Sequence, residues 1–176
     1  MLDQHCKRDI KPMKWTSRPK EVKNLFNPAF CGEILRRCIY SHAQYSQVAF
    51  PFPLIFLVLP LVLDKSTREK LPQKIMPNTH FLSWLQNNQS IRIQFPQRAK
   101  EMKAFAKEAF IFLVASKSIE IDFQGNLSTK NYSPVRLDGE WVEEVKDCFK
   151  KAENVGKLFS EVNNPSLLYA SLDVRP

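Results

Sequence analysis

Along most of the chain the apolar residues return every three or four positions, and in one short stretch they return every second. From Asn27 to about Tyr45, Phe30, Ile34, Cys38 and Ile39 mark one face of a helix, while Glu33, Arg36, Arg37 and Gln44 mostly fall elsewhere on the wheel. Asn27 is a good N-cap, and Pro28 stands at the first helical position, where its missing N–H costs nothing. The most apolar run is Val48 to Leu63, 16 residues broken by Pro51, Pro53 and Pro60. A membrane-spanning helix needs about 20. The run therefore predicts a core helix starting near Pro53, hydrophobic on all sides. In a domain this small, part of that helix is expected to be covered by a partner.

Ser66 and Glu69 fit a capping box for a short helix between Asp64 and Pro72. Asn78 or Thr79 is expected to cap a second short helix carrying Phe81, Leu82, Trp84 and Leu85 and stopping at Asn87-Asn88. A long helix is predicted from about Pro96 to Lys117. Its inner face is Ala99, Met102, Ala106, Ala109, Phe110 and Leu113, and Arg98, Lys100, Lys103 and Lys107 lie toward its outside. From Ser118 to Phe123 the period becomes two, Gly125-Asn126 predicts a two-residue turn, and Leu127 to Lys130 is the returning strand. An isolated hairpin is marginal in water, so it must pack on the helices. Trp141, Val145, Cys148, Ala152, Val155 and Phe159 form the cleanest helical stripe in the chain. Asn164-Pro165 repeats the cap-plus-proline start for a final short helix, Ser166 to Leu172. Helices followed by a hairpin is the order of a winged-helix module. The expected fold class is mainly α with a small β-hairpin, a single winged-helix-like domain over residues 24–176.

Charge sets the N-terminus apart from that domain. Residues 1–23 hold seven Lys/Arg against Asp3, Asp9 and Glu21, so this short stretch supplies +4 of the net +8. It has no apolar segment of the kind a signal peptide needs and is expected to be a mobile basic arm. A pI near 9.4 also permits attraction to nucleic acid or acidic surfaces. Four glycines leave no glycine-rich phosphate loop. Cys6, Cys31, Cys38 and Cys148 show neither CxxC nor zinc spacing. Cys31 and Cys38, seven apart on one helix face, read as small hydrophobes and point to a reducing, cytoplasmic setting.

Catalysis needs converging polar groups, and the sequence offers few. The histidines are His5, His42 and His80, and no HExxH, GxSxG, GKS/T or H-R-D pattern occurs. Asp138, Glu140, Glu143, Glu144 and Asp147 gather where they favour the dipole of the last long helix. Glu120 and Asp122 alternate with apolar residues on a strand, but a metal would need a third ligand and none is in view. The expectation is no enzyme, no cofactor and no metal. The row Arg98, Lys100, Lys103 and Lys107, with Lys130 on the hairpin, lies where a winged helix meets phosphates or groove edges. With Glu101 and Glu108 interspersed, the same row also describes a solvated helix face. Phe105, Phe110 and Phe112 sit at core spacing and do not argue for base stacking.

Several strings carry more than their periodicity. Leu25-Phe-Asn-Pro-Ala-Phe30 leads into Glu33, Ile34 and Leu35, and Pro53-Leu-Ile-Phe-Leu-Val-Leu-Pro60 runs on to Asp64-Lys-Ser-Thr-Arg68 and Leu71-Pro72. Ala152-Glu-Asn-Val-Gly156 precedes Phe159, and the chain closes on Asp173-Val-Arg-Pro176. From about Leu25 onward this order resembles the middle component of bacterial three-component ABC-ATPase systems, the group that includes Lamassu-type defence operons. The resemblance implies a non-catalytic adaptor without membrane association. It would bridge an SMC- or Rad50-like ABC ATPase dimer and an effector, often a nuclease, acting against phage or plasmid DNA, with DNA met through the complex. The matching positions expected to meet a partner are Asn27, Pro28, Phe30, Phe56, Leu57, Pro60, Thr67 and Arg68. The first six also have reason to exist as cap, helix start and core, whereas Arg68 at the end of a buried helix has less packing reason. The alternatives are a stand-alone winged-helix DNA-binding regulator and a metal-dependent nuclease built on Glu120 and Asp122.

Overall fold

The computed structural model describes residues 26–134, 143–162 and 164–175. The basic leader and the positions of Asp138, Glu140 and Trp141 lie outside them. The first helix, α1 (Pro28–Ser46), starts as its sequence requires, with the Asn27 side chain accepting the Ala29 N–H at 2.8 Å. Cys31, Ile34, Leu35, Cys38 and Ile39 are buried along it. A short strand, β1 (Phe50–Pro51), and a 3-10 turn (Phe52–Leu54) follow, then α2 (Ile55–Val62). Every residue of α2 except Phe56 is buried by the chain itself. The uniform apolarity is thus satisfied internally by α1, α5 and α6, and the expected partner is not needed to explain it.

Helix α3 (Lys65–Lys70) is capped by Asp64, whose carboxylate accepts the Thr67 N–H at 2.9 Å and the Ser66 hydroxyl at 2.8 Å. The expected Ser66/Glu69 capping box gives way to Asp64, two residues upstream, because a carboxylate there reaches both groups at once. Helix α4 (Phe81–Asn87) begins after His80 with no side-chain cap. Thr79 instead accepts the Met76 N–H at 3.0 Å and closes the preceding loop.

Helix α5 (Ser90–Ala115) starts well before Pro96, which lies inside it. A proline within a helix removes one hydrogen bond and crowds the preceding turn. Here the turn ahead of it is anchored by Ile91 and Phe95, both buried, which offsets that cost. The inward row holds, with Ala99, Ala106, Ala109 and Leu113 buried and Met102 and Phe110 packed against the core.

Strands β2 (Ile119–Ile121) and β3 (Asn126–Thr129) pair antiparallel, with Ile119 opposite Thr129 and Ile121 opposite Leu127. The connection is longer than the two-residue turn the Gly125-Asn126 pair predicts. Asp122, Phe123, Gln124 and Gly125 form it, with Gly125 at φ 80° and its N–H donated to the Asp122 carbonyl at 3.0 Å. Only glycine takes that φ at no steric cost. Strand β1 adds to β3, giving the order β1-β3-β2, so the hairpin gains the third strand that the sequence did not disclose. Helices α6 (Glu143–Ser160) and α7 (Pro165–Ser171) complete the chain, α7 capped by Asn164 as expected.

Among the described residues the architecture is therefore seven α-helices with one small antiparallel sheet, mainly α as expected. Helix α1 lies at its centre, flanked by α5 and α6. Buried polar side chains fasten these elements. Arg37 on α1 pairs with Glu33 at 2.8 Å and with Glu153 of α6 at 2.7 Å. Lys151 of α6 donates to the carbonyls of Leu71 and Pro72, and Asn154 donates to Pro72 at 2.8 Å, so α6 holds the end of α3.

Candidate docking groove

One face of the protein keeps a concavity open where three separate segments meet. Phe52 and Pro53 of the 3-10 turn, with Phe56 and Leu57 of α2, form its floor. Pro96, Ala99, Lys100 and Lys103 of α5 make one wall, and Tyr169, Val174 and Arg175 make the other. The hollow measures about 370 Å³.

Each wall has a local cause. Phe52 is held edge-on to Phe56 at 5.7 Å and to Phe110 of α5 at 5.0 Å, and its N–H donates to the Gly125 carbonyl at 3.3 Å. The floor is thereby tied to both α5 and the hairpin turn. The Tyr169 hydroxyl donates to the Pro53 carbonyl at 2.6 Å, which fixes α7 against the floor. Beyond α7 the chain reverses at Asp173, φ 57°. The Val174 N–H donates to the Tyr169 carbonyl at 3.0 Å and the Asp173 N–H to Ala170 at 3.1 Å. This paired closure of a helix end, with a left-handed residue just past it, turns Val174 and Arg175 back onto the groove.

The charge of the groove has one sign. Lys100 and Lys103 are exposed, as is Arg175. None of the three is paired with a carboxylate among the described residues. A second, neighbouring hollow shares Pro53, Tyr169, Val174 and Arg175 with the groove and is lined further by Pro165, Ser166 and Asp173.

The residues expected to meet a partner divide by burial. Phe56 is half-buried and Leu57 lies beneath it, both in the groove floor. Asn27 is exposed, and Pro28 and Phe30 are half-buried at the start of α1, with Phe30 against Phe149 at 5.5 Å. Pro60, Thr67 and Arg68 are interior. Arg68 donates to Asp147 at 3.0 Å, Glu144 at 2.7 Å and the Val62 carbonyl at 3.0 Å, which supplies the packing reason its sequence position lacks.

The basic row also splits. Lys100, Lys103 and Lys107 are exposed on α5. Arg98 is turned inward, pairing with Asp64 and donating to the Thr67 hydroxyl at 2.9 Å, so it does not belong to a surface row. Lys130 pairs with Glu120 at 3.1 Å. Phe112, expected at core spacing, is 42% exposed at the far end of α5.

The two strand carboxylates have local employment. Asp122 accepts the N–H groups of Asn126 and Gln124, both at 2.8 Å, and these bonds, Asn126 first, lower its pKa. No cluster of three or more His, Cys, Asp or Glu side chains suited to a metal occurs among the described residues. Burial pushes the Cys31 thiol up to about 12 and that of Cys148 to about 11, so neither is a thiolate near neutrality. No helix among the described residues is long and apolar enough to cross a membrane.

The sequence reading missed Tyr169, Val174 and Arg175. The available signal was the closing Asp173-Val-Arg string, because Asp tolerates the left-handed conformation that a chain reversal after a helix requires.

Fold and groove together define a mainly helical protein with a small antiparallel sheet and an open, apolar hollow rimmed by cations. The chain belongs to the family described as ABC-three component (ABC-3C) system Middle Component 3, which matches residues 15–176. The match reaches into the segment set apart as a leader and so begins upstream of Leu25. No curated protein matches the chain, and no solved structure does.

Proposed function

We propose that this middle component is a non-catalytic adaptor that joins an SMC- or Rad50-like ABC ATPase dimer to an effector, a nuclease in the simplest case. The setting is a bacterial, Lamassu-type defence complex directed at phage or plasmid DNA, acting in the cytoplasm. The observation that carries this reading is where the groove's walls come from. Two of the strings behind the family resemblance, Pro53 to Pro60 and Asp173 to Arg175, converge on one open hollow and leave it unfilled among the described residues. A protein with no partner gains stability by closing such an apolar surface, so an open one fits a docking role.

The test is co-expression of the tagged chain with the ATPase and effector of the same operon. Wild-type protein is expected to retain both, and Phe56→Asp, which places a carboxylate on the groove floor, is expected to lose one of them. Retention of neither by the wild-type chain refutes the adaptor role.

A second reading rests on the exposed row Lys100, Lys103 and Lys107 along α5, the helix preceding the hairpin. In a winged-helix regulator that face would meet duplex DNA. It predicts duplex binding by the lone protein whose affinity falls steeply with salt.

A further inference from the structure

We infer that the groove is filled by an acidic segment of a partner protein. One apolar side chain of that segment seats between Phe56 and Val174, and its flanking carboxylates meet Lys100, Lys103 and Arg175. The inference rests on the adaptor reading and specifies the chemistry of one of its contacts.

Three observations lead there. The floor of Phe52, Pro53, Phe56 and Leu57 is apolar, and the Tyr169 hydroxyl on the wall beside it already donates its hydrogen to the Pro53 carbonyl, so the bottom of the hollow rewards an aliphatic or aromatic group. A volume of about 370 Å³ admits a side chain or two with attached backbone and falls in the range of specific sites. The charged side chains lining the hollow are all cationic and come from two separate segments, Lys100 and Lys103 from α5 and Arg175 from beyond α7. Like charges gathered around one concavity repel each other and are relieved by an anion placed between them.

Charge also decides among occupants. The chain's own residues 1–23 carry net +4 and have the wrong sign. A second copy brings net +8 overall, and its acidic run Glu143, Glu144 and Asp147 is already paired with Lys146 and Arg68 on its own fold. A duplex is too broad to enter a hollow of this size, although it can lie across the Lys100–Lys107 row. An acidic peptide with an apolar anchor satisfies floor and rim together, the apolar part contributing affinity and the carboxylates fixing register.

The experiment is zero-length carbodiimide crosslinking of the co-expressed complex, which joins a lysine amine only to a carboxylate in direct contact. Lys100 or Lys103 is expected to crosslink to an Asp or Glu of the ATPase or effector lying within a few residues of a Leu, Ile, Met or Phe. Lys100→Glu/Lys103→Glu is expected to lower co-purification roughly tenfold, and Lys107→Glu to leave it nearly unchanged. Reversing the crosslinked carboxylate to Lys is expected to restore binding to the doubly reversed variant. If both partners co-purify but neither lysine crosslinks and the double reversal changes nothing, the groove proposal is wrong and the adaptor stands. If the wild-type chain retains no partner, both fall. If the double reversal instead abolishes salt-sensitive duplex binding while co-purification persists, the cations serve DNA and the proposal is overturned.

Discussion

Arg68 of α3 and Glu144 at the start of α6, 76 residues apart in sequence, meet at 2.7 Å. Arg68 is 4% exposed, and the same guanidinium reaches Asp147 at 3.0 Å and the carbonyl of Val62 at 3.0 Å. One side chain therefore closes the carboxyl end of α2 and clamps α3 to α6. Its charge is compensated on two sides, although Glu144 is itself largely exposed, so the pairing gains less there than at Asp147.

Removing that guanidinium leaves buried carbonyl groups without a donor and Asp147 without its partner. Arg68→Leu is expected to cost about 2–4 kcal/mol in unfolding free energy. Urea denaturation followed by circular dichroism measures it. A loss below 0.5 kcal/mol, on the order of an ordinary surface change, would show that the clamp does not hold the fold. The variant's effect on partner binding should then follow its stability, because Arg68 offers no surface to a partner.

Helices α1 and α6 approach each other closely at Gly156. A Cβ added there would stand 2.3 Å from the Cys38 carbonyl oxygen, which is backbone and cannot rotate away. Gly156→Ala is expected to force the two helices apart and cost about 3 kcal/mol, despite the roughly 1 kcal/mol that alanine gains in a helix interior. Gly32 is the internal control. Its added Cβ would meet only side chains, Phe112 at 3.3 Å and Leu113 at 3.4 Å, and Phe112 is free to give. Gly32→Ala should therefore change stability by less than about 1 kcal/mol. Equal melting temperatures for the two variants would contradict the close approach.

Much of this arrangement was legible in the sequence, and what was not has a physical cause. The Asn27-Pro28 and Asn164-Pro165 starts were readable because capping is local chemistry. Pro96 misleads because buried Ile91 and Phe95 override the local preference of proline for the first turn of a helix, and the helix starts upstream at Ser90. Strand β1 has two residues, too few for any period, and exists only because β3 is beside it. The groove was half visible. Phe56, Leu57, Lys100 and Lys103 were singled out, but for different reasons, and nothing local shows that α2 and α5 bring them to one hollow. Arg68 stands out in the sequence for lacking a packing reason at the end of a buried helix, and that reason is invisible locally because its partners Glu144 and Asp147 lie far along the chain.

Asp64 gives the fold an acid-sensitive point. Partial burial acts to raise its pKa, but hydrogen bonds from Thr67, Ser66 and Arg98 prevail and lower it from 3.8 to about 2. A carboxylate with a depressed folded-state pKa contributes stability that is fully present above its unfolded value and lost as pH falls through the folded one. The loss from this group is thus expected between about pH 4 and pH 2, on the order of 1 kcal/mol after allowing for solvent screening. Asp64→Asn should flatten that part of the stability profile, measured by urea titration at successive pH values. A profile of unchanged slope would show that Asp64 is not the group responsible.

Asp173 tests whether the groove's outer wall matters on its own. Its left-handed φ of 57° costs a non-glycine residue energy, yet it is what returns Val174 and Arg175 to the hollow. Glycine takes that conformation freely, so Asp173→Gly should keep the wall in place and change stability by no more than about 1 kcal/mol. A β-branched residue is strained there, and Asp173→Val should open the reversal at a local cost of about 1–3 kcal/mol. Val174 and Arg175 lie past α7 and neither is fully buried, so that cost is expected to be met by releasing this short segment and not by unfolding the core. The expected result is a variant with nearly wild-type urea unfolding whose co-purification with its partner drops, while Asp173→Gly behaves as wild type. Co-purification unaffected by Asp173→Val would remove the C-terminal wall from the docking site and leave the floor and α5 to account for it.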